Sequence, residues 1–161
     1  MPNEAEIEKK FWKALRSDRT VMLGLDGVER AHPRPMVAQF DEDRAPIWFF
    51  TSNQSELVRA LAAGSRAVAT FAAKDHALFA TMHGNLSLDN ERANIDRFWN
   101  RFVAAWFPGG KEDPKLALLR FDAEGAEIWL DESSLLAGIK LLLGADPKEE
   151  YKDKVAEVSL R

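Results

Sequence analysis

The central part of this chain reads Arg66-Ala-Val-Ala-Thr-Phe-Ala-Ala73, then Lys74-Asp75-His76, then Ala77-Leu-Phe-Ala-Thr-Met-His-Gly-Asn-Leu-Ser-Leu88. Runs rich in apolar and β-branched residues and bounded by turn residues predict β-strands. Because only three polar residues separate the two runs, the segment predicts a β-hairpin. Gly84 interrupts the second run, and an isolated glycine within a strand is typical of a β-bulge.

Further strands are predicted on both sides of this hairpin. Three apolar runs precede it: Thr20–Leu25, a run from Pro33 to Phe40, and Ile47–Thr51. After it, residues 116–121 and 126–130 predict a second hairpin across Ala123-Glu124-Gly125. Several strands at hairpin spacing, with few helices, predict a mainly β fold, and they favour a small antiparallel barrel over a βαβ sheet.

Helices are predicted at the flanks of the strands. Ile7, Phe11 and Leu15 recur every four residues, which predicts an amphipathic helix over residues 4–16 with Asn3 as its N-cap. Residues 56–63 predict a short helix that Ser52 or Ser55 would cap. A long helix is predicted from Asp89-Asn90 to Pro108, with one apolar stripe formed by Ile95, Phe98, Trp99, Phe102, Val103 and Trp106. The C-terminal segment 132–161 predicts an appended helix, leucine-rich over 134–143, and a charged tail.

Composition limits both the domain count and the class of function. With 161 residues, 46% hydrophobic and 30% charged, the chain suits one domain spanning 1–161. A net charge of −4 argues against nucleic acid as a partner. No cysteine is present, which excludes disulfides and thiolate metal sites and is compatible with a reducing compartment. Neither a signal peptide nor a membrane span is evident, so we expect a soluble, cytoplasmic protein that has no membrane partner.

Standard catalytic motifs are missing from the sequence. It lacks the glycine-rich dinucleotide and P-loop patterns, the serine-hydrolase elbow and the HExxH zinc motif. His32, His76 and His83 are far apart, and we predict no metal site from them. One corner has the residues for an anion, because Arg34 starts a strand and the segment from Thr51 to Ser55 precedes a helix. On these residues alone, ordinary helix capping and a solvated arginine are the favoured interpretation.

Several strings of residues carry a family resemblance over most of residues 5–131. They are Arg34-Pro35-Met36, Trp48-Phe-Phe-Thr-Ser52 with Ser55, His83-Gly-Asn-Leu86, Ala105-Trp-Phe-Pro-Gly-Gly-Lys-Glu-Asp-Pro114, Leu116-Ala-Leu-Leu-Arg120 and Ala126-Glu-Ile-Trp129. In these strings and their order the chain resembles the pyridoxamine 5'-phosphate oxidase-like flavin-binding split barrels, particularly the bacterial general stress protein branch.

This resemblance implies a six-stranded antiparallel split β-barrel that forms a homodimer, with FMN held in a groove between the subunits. By family analogy the cofactor would contact Arg34, Pro35, Met36 and Val37 on one strand and Phe50, Thr51, Ser52 and Ser55 at the end of another, together with Trp106 and Trp129. The sequence departs from the family at Glu56 and Leu57, where flavin-binding members often supply a lysine to the phosphate.

Two classes of function follow from the resemblance and this departure. The first is an FMN-binding general stress protein with flavin-dependent oxidoreductase activity, in which the flavin supplies the chemistry. The second is a non-catalytic split barrel that binds or senses a small molecule and has weakened or lost its flavin affinity. A deazaflavin- or haem-using relative ranks third. The sequence identifies neither the substrate nor any catalytic residue.

Overall fold

The computed structural model describes residues 3–62, 64–131 and 155–161. In chain order the described strands are β1 (Thr20–Leu25), β2 (Arg34–Val37), β3 (Ile47–Ser52), β4 (Ser65–Ala72), β5 (Leu78–Leu88), β6 (Leu116–Leu130) and β7 (Val155–Ser159). The described helices are α1 (Glu4–Ser17), α2 (Glu56–Arg59), α3 (Arg92–Phe98) and α4 (Arg101–Ala104). Short 3-10 turns cover Glu29–Ala31 and Gly110–Glu112.

Six strands form a nearly closed antiparallel barrel in the order β2-β1-β4-β5-β6-β3. The two end strands meet at a single bridge, in which Gln39 N donates to Trp48 O at 2.8 Å and Trp48 N donates to Gln39 O at 2.7 Å. This arrangement confirms the predicted six-stranded split barrel. The seventh strand, β7, lies outside that path and pairs with β6.

The central hairpin forms as the sequence predicts. β4 and β5 pair from Ser65 with Leu86 to Ala72 with Phe79. The pairing of β5 with β6 shifts register between His83 and Gly84, which confirms an irregularity at the predicted position. The additional residue is Glu124 of β6, because His83 pairs with Gly125 and Gly84 pairs with Ala123. A Cβ atom at Gly84 would lie 2.2 Å from Asp122 O, and only glycine allows the two backbones to approach so closely.

The second predicted hairpin, over residues 116–130, is wrong. These residues form the single fifteen-residue strand β6, which passes through Ala123-Glu124-Gly125 without turning. β5 pairs with nearly the whole of β6, while β3 pairs with its first part and β7 with its last. Because strands on both sides satisfy its backbone groups, the extended conformation is favoured over the local turn that the glycine suggests.

The long helix predicted from residue 89 to Pro108 is also wrong, because it is broken into α3 and α4. Trp99 has extended backbone angles. The Asn100 side chain accepts hydrogen bonds from Phe102 N at 2.9 Å and Val103 N at 3.0 Å and so caps a new helix. The predicted apolar stripe is divided accordingly, since Val103 is buried whereas Phe102 and Trp106 are exposed.

The other helices match their predictions to different extents. α1 has the expected Asn3 cap, completed by Glu6 as a capping box, and it buries Ile7, Phe11, Trp12 and Leu15. α2 begins where predicted, after the Ser55 cap, but ends at Arg59, earlier than the predicted residue 63. No helix in the described part of the chain is both long and apolar enough to cross a membrane.

The buried side chains form two clusters. The larger fills the barrel beneath α1, and the smaller lies under α3 and α4 around Trp48 and Leu118. The C-terminal tail was predicted to be charged and appended, but its described end is strand β7, and Val158 and Leu160 belong to the barrel core. The predicted leucine-rich segment 134–143 lies outside the described residues.

The close approach at Gly84 leads to a prediction about stability. Gly84→Ala should lower the free energy of unfolding by at least the ~1–3 kcal/mol typical of overpacking, because Asp122 O would have to move. Gly125→Ala is the matched control, since its Cβ would lie 3.2 Å from the nearest backbone atom. Chemical denaturation of both variants measures the difference. An equal or larger loss for Gly125→Ala would contradict this account of the bulge.

Candidate functional site

A groove opens where β2 and β3 diverge beyond the Gln39–Trp48 bridge. Its volume is about 610 Å³. We call it the split groove, and its lining comprises Thr20, Pro35, Met36, Val37, Gln39, Phe50, Thr51, Ser52, Phe102, Val103, Trp106 and Phe107. This size and largely apolar lining are typical of a small-molecule site.

The first wall of the split groove is strand β2 with its neighbour β1. Alternation along β2 buries Met36 and exposes Pro35 and Val37 on the opposite face. Val37 is 54% exposed and lies opposite Thr20 of β1. A proline suits this edge strand because it has no N–H group to leave unpaired.

The second wall is the C-terminal end of β3. Phe50, Thr51 and Ser52 are half-buried there, and Ser52 Oγ accepts a hydrogen bond from Gln54 N at 3.1 Å. Hydroxyl groups can both donate and accept, so Thr51 and Ser52 could bind the polar part of a ligand. Ser55 instead caps α2, accepting from Val58 N at 3.2 Å, and it does not line the groove.

The third wall is α4 and the turn that follows it. Val103 and Phe107 point into the smaller core cluster, whereas Phe102 and Trp106 remain exposed. Sequence reasoning placed Trp106 at the site but assigned Phe102 and Val103 only to the apolar stripe. It also missed Thr20 and Gln39, because lining a groove depends on the three-dimensional fold and leaves no local signal.

Arg34 lies beside the split groove and does not line it. Its guanidinium donates from Nε to His32 O at 3.1 Å and from Nη2 to Arg30 O at 2.9 Å. β2 and β3 run antiparallel from their bridge, so the start of β2 and the end of β3 lie toward the same end of the groove. The backbone of Arg34 is therefore at the end of the groove where Ser52 contributes its hydroxyl, while its guanidinium is held by the carbonyl groups of His32 and Arg30.

The family departure at residues 56 and 57 has a structural explanation. Leu57 is fully buried in the barrel core, so a lysine in its place would carry an unpaired charge into an apolar environment. Glu56 is exposed and lies 3.8 Å from Arg59, one turn later on α2. The negative charge of Glu56 is thus partly balanced by a neighbour on its own helix.

Trp129 is not part of the split groove within one chain. It lies opposite Phe79 on the outward face of the sheet. There it lines a shallower depression of about 400 Å³ with residues of β1, β4 and β5. Thr20 lines both depressions, so the two are adjacent.

Hydrogen bonds connect the second and third walls of the split groove. Asn53 donates from its backbone N to Lys115 O at 2.8 Å and from Nδ2 to Pro114 O at 2.6 Å. The Asp113 carboxylate accepts from Lys115 N at 2.9 Å and Gly109 N at 3.0 Å, which closes the turn after Phe107. These backbone hydrogen bonds lower the pKa of Asp113. The end of β3 and the α4 wall are therefore held in a defined relative position.

Metal ligands are not clustered in the described part of the chain, where no group of three or more histidine or acidic side chains could hold a metal ion. His32 Nδ1 lies 3.2 Å from Pro33 O, and His76 stacks on Phe79. His83 is exposed beside Gly125. The three histidines therefore occupy separate positions.

Comparisons with known proteins agree with this architecture. Residues 6–152 match the family model described as pyridoxamine 5'-phosphate oxidase like. A general stress family protein of Xanthomonas campestris pv. campestris is 58% identical, with a TM-score of 0.79, and the match covers 87% of this chain and 97% of that one. No protein in a search of curated sequences matched.

Two further solved structures are similar. The general stress FMN/FAD binding protein of Xanthomonas citri is 59% identical, with a TM-score of 0.77, and the match covers 84% of this chain and 96% of that one. A general stress protein 26 of Jannaschia sp. is 28% identical, with a TM-score of 0.78 and coverage of 96% and 99%.

The Asp113 turn leads to a pH-dependent prediction. Because the folded protein lowers the pKa of Asp113, its stabilising effect is present above the unfolded value of about 4 and is lost as the pH falls through the lower folded value. Asp113→Asn should therefore lower the melting temperature at pH 7 and have less effect in acid. Thermal melts from pH 2 to 7 measure this, with the exposed Asp131→Asn as control. If Asp113→Asn lowers the melting temperature by the same amount at every pH, the stabilising effect does not come from the ionised Asp113 carboxylate.

Proposed function

This chain belongs to the pyridoxamine 5'-phosphate oxidase-like family, and we propose that it binds FMN in the split groove as a general stress flavoprotein. The observation that carries the proposal is that one groove brings together residues predicted to contact FMN from three separate parts of the sequence. These residues are Pro35, Met36, Val37, Phe50, Thr51, Ser52 and Trp106. A 59% identical protein is described as FMN/FAD binding, which supports the same ligand class.

The groove lining fits the two ends of an FMN molecule differently. Pro35 and Val37 offer an apolar surface along β2, which suits a flat ring system. Thr51 and Ser52 supply hydroxyls for the ribityl chain at the end of β3. None of the described lining residues is charged, so the phosphate requires a cation from beside the groove. Arg34 is the candidate, since a guanidinium can hold two phosphate oxygens at once.

We expect a second copy of the chain to cover the outward face of the sheet. Met22 and Phe79 are each more than one-third exposed on this face, and the half-buried Trp129 lies directly opposite Phe79. Exposed apolar residues grouped on one face are typical of a protein interface. Because this face adjoins the split groove through Thr20, a homodimer built on it would bring Trp129 of one subunit toward the groove of the other.

The proposed activity class is flavin-dependent oxidation and reduction. A bound flavin supplies hydride or electron transfer, while the protein supplies binding, orientation and exclusion of water. Here Met36 and Phe50 would exclude water, and Thr51 and Ser52 would orient the polar chain. No acid or base is present among the described lining residues, so substrate choice would follow from the shape of the groove. The lack of cysteine is in keeping with the proposed cytoplasmic location.

A non-catalytic ligand-binding barrel is the second candidate function. The uncharged lining of the groove favours it, because a phosphate without a close cation would lose hydration energy on binding. The two candidate functions differ in flavin affinity, because only the flavoprotein is expected to bind FMN tightly.

FMN titration, followed by quenching of tryptophan fluorescence, tests the proposal. The wild-type chain should bind one FMN per subunit. Arg34→Ala should weaken FMN binding about tenfold to hundredfold, the range for a lost hydrogen bond to a charged group. Riboflavin, which has no phosphate, should bind both proteins equally. The exposed Arg44→Ala is the control variant.

Two results would contradict this proposal. Absence of saturable binding by both FMN and riboflavin would reject the flavoprotein assignment and favour the ligand-binding barrel. Equal losses of FMN and riboflavin affinity in Arg34→Ala would show that Arg34 does not act on the phosphate.

The homodimer has its own test. Phe79→Glu should shift the protein from dimer to monomer, because it introduces a charge at the centre of the outward apolar face. Light scattering coupled to gel filtration measures the molar mass. Leu88→Glu is the matched control, since Leu88 is 52% exposed at the far end of the same strand. A wild-type monomer, or a Phe79→Glu dimer as stable as the wild type, would exclude this face as the interface.

A further inference from the structure

The outward face of the sheet contains a row of side chains that runs from the split groove to Trp129. Val37, which lines the groove, lies opposite Thr20 of β1. The register of β1 with β4, extended by two residues, places Ala72 next to Thr20. Ala72 lies opposite Phe79 of β5, which lies opposite Trp129 of β6. The row therefore begins at a groove residue and ends in two aromatic residues.

The two ends of this row can pair with each other in a dimer. Identical subunits most often associate about a two-fold axis, so that both use the same surface patch. An axis through the middle of the row, at the small side chain of Ala72, places the Phe79 and Trp129 end of one subunit against the Val37 end of the other. The second copy that we expect on this face would therefore bring its aromatic end to the mouth of the split groove.

His76 lies beside the aromatic end of the row. It belongs to the turn between β4 and β5, where its backbone N donates to Ala73 O at 2.9 Å and its φ is 59°. Histidine adopts this left-handed conformation more readily than most residues. Its ring stacks on Phe79, with ring centres 5.9 Å apart and an angle of 15° between the planes. The imidazole is therefore held in a defined position at the end of the row that faces the partner subunit.

His76 has a chemical property that the split groove of a single subunit lacks. None of the described groove-lining residues is an acid or a base. An imidazole donates a hydrogen bond in both its neutral and its protonated form. Because stacking on Phe79 uses the face of the ring, the two nitrogens lie at its edge, where a ligand can reach them. A flavin ring carries oxygen and nitrogen acceptors that suit such a donor.

We propose that His76 of the partner subunit completes the split groove and donates a hydrogen bond to the ring of the flavin bound there. Each flavin then has its polar chain bound by β3 of one subunit and its ring bound by the imidazole of the other. This inference rests on the proposed FMN site and homodimer. It identifies a binding residue that the groove of a single chain does not contain.

Equilibrium dialysis with riboflavin tests the role of the imidazole without the phosphate. His76→Ala should weaken riboflavin and FMN binding by the same factor, about threefold to tenfold, the range for one neutral hydrogen bond. His76→Phe keeps a ring that can stack on Phe79 but has no donor, so it should show the same loss. Lys74→Ala, in the same exposed turn, is the control and should bind as the wild type does. Light scattering checks that each variant is still a dimer.

Mixed dimers show which subunit provides the imidazole. Thr51→Trp fills the groove of its own subunit and should abolish binding there, but it keeps His76. When His76→Ala is unfolded and refolded with an excess of Thr51→Trp, most of its chains form mixed dimers in which the intact groove faces an unaltered His76. The riboflavin affinity of that groove should therefore return to the wild-type value. Ser52→Trp replaces Thr51→Trp if the latter does not form dimers.

Three outcomes would overturn the inference. Wild-type riboflavin affinity in His76→Phe would show that the imidazole donates no hydrogen bond to the flavin. A loss of affinity that persists in the mixed dimers would show that His76 acts within its own subunit. An equally large loss in Lys74→Ala would show that the effect comes from the turn and not from the imidazole.

Failure of the proposed function gives a different result. If the wild-type chain binds neither FMN nor riboflavin, the FMN site is wrong, and this inference is wrong with it. If the wild-type chain binds riboflavin as a monomer, the homodimer and this inference are wrong while the FMN site stands. If a wild-type dimer binds riboflavin and His76→Ala binds it equally well, only this inference is wrong.

Discussion

The fifteen-residue strand β6 is the element on which the rest of the structure depends. It hydrogen-bonds with β5 along nearly its whole length, with β3 in its first part and with β7 in its last. The close contact of Gly84 with the β6 backbone permits the register shift that continuous pairing needs. β6 holds β3 at one side of the barrel. On its other side, β3 contacts the end of β2 only through the single Gln39–Trp48 bridge.

The split groove follows from this arrangement. Beyond the Gln39–Trp48 bridge the two end strands of the sheet separate, and the α4 segment covers part of the opening. Hydrogen bonds from Asn53 to the 108–115 turn keep the end of β3 and the α4 wall together. In the same arrangement Phe102 and Trp106 are exposed to solvent, because the inward face of this segment is occupied by Val103 and Phe107, which pack in the smaller core cluster.

Much of the fold could be predicted from short-range patterns. The β4–β5 hairpin and the capped helix α1 depend on residues close together in sequence. The glycine within the β5 run was enough to indicate the irregularity opposite Gly84, although its partner strand is distant in sequence. The predictions were wrong where contacts with residues distant in sequence favoured a different structure from the one that the local sequence indicates. Ala123-Glu124-Gly125 resembles a turn, yet it stays extended because Ala123 and Gly125 pair with β5 and Gly125 also pairs with β7. Asn100 has the character of a cap, but it lay within an apolar stripe that favoured one continuous helix.

The sequence by itself determined the first five strands, the split-barrel family and which residues to consider at the site, because strand periodicity and family strings are local properties of the chain. Only the tertiary structure decided which of those residues share one groove. It brings Pro35, Thr51 and Trp106 together and leaves Ser55 to cap α2 and Trp129 on the outward face. The physical reason is that a groove is defined by where separate strands diverge, and divergence depends on long-range backbone pairing.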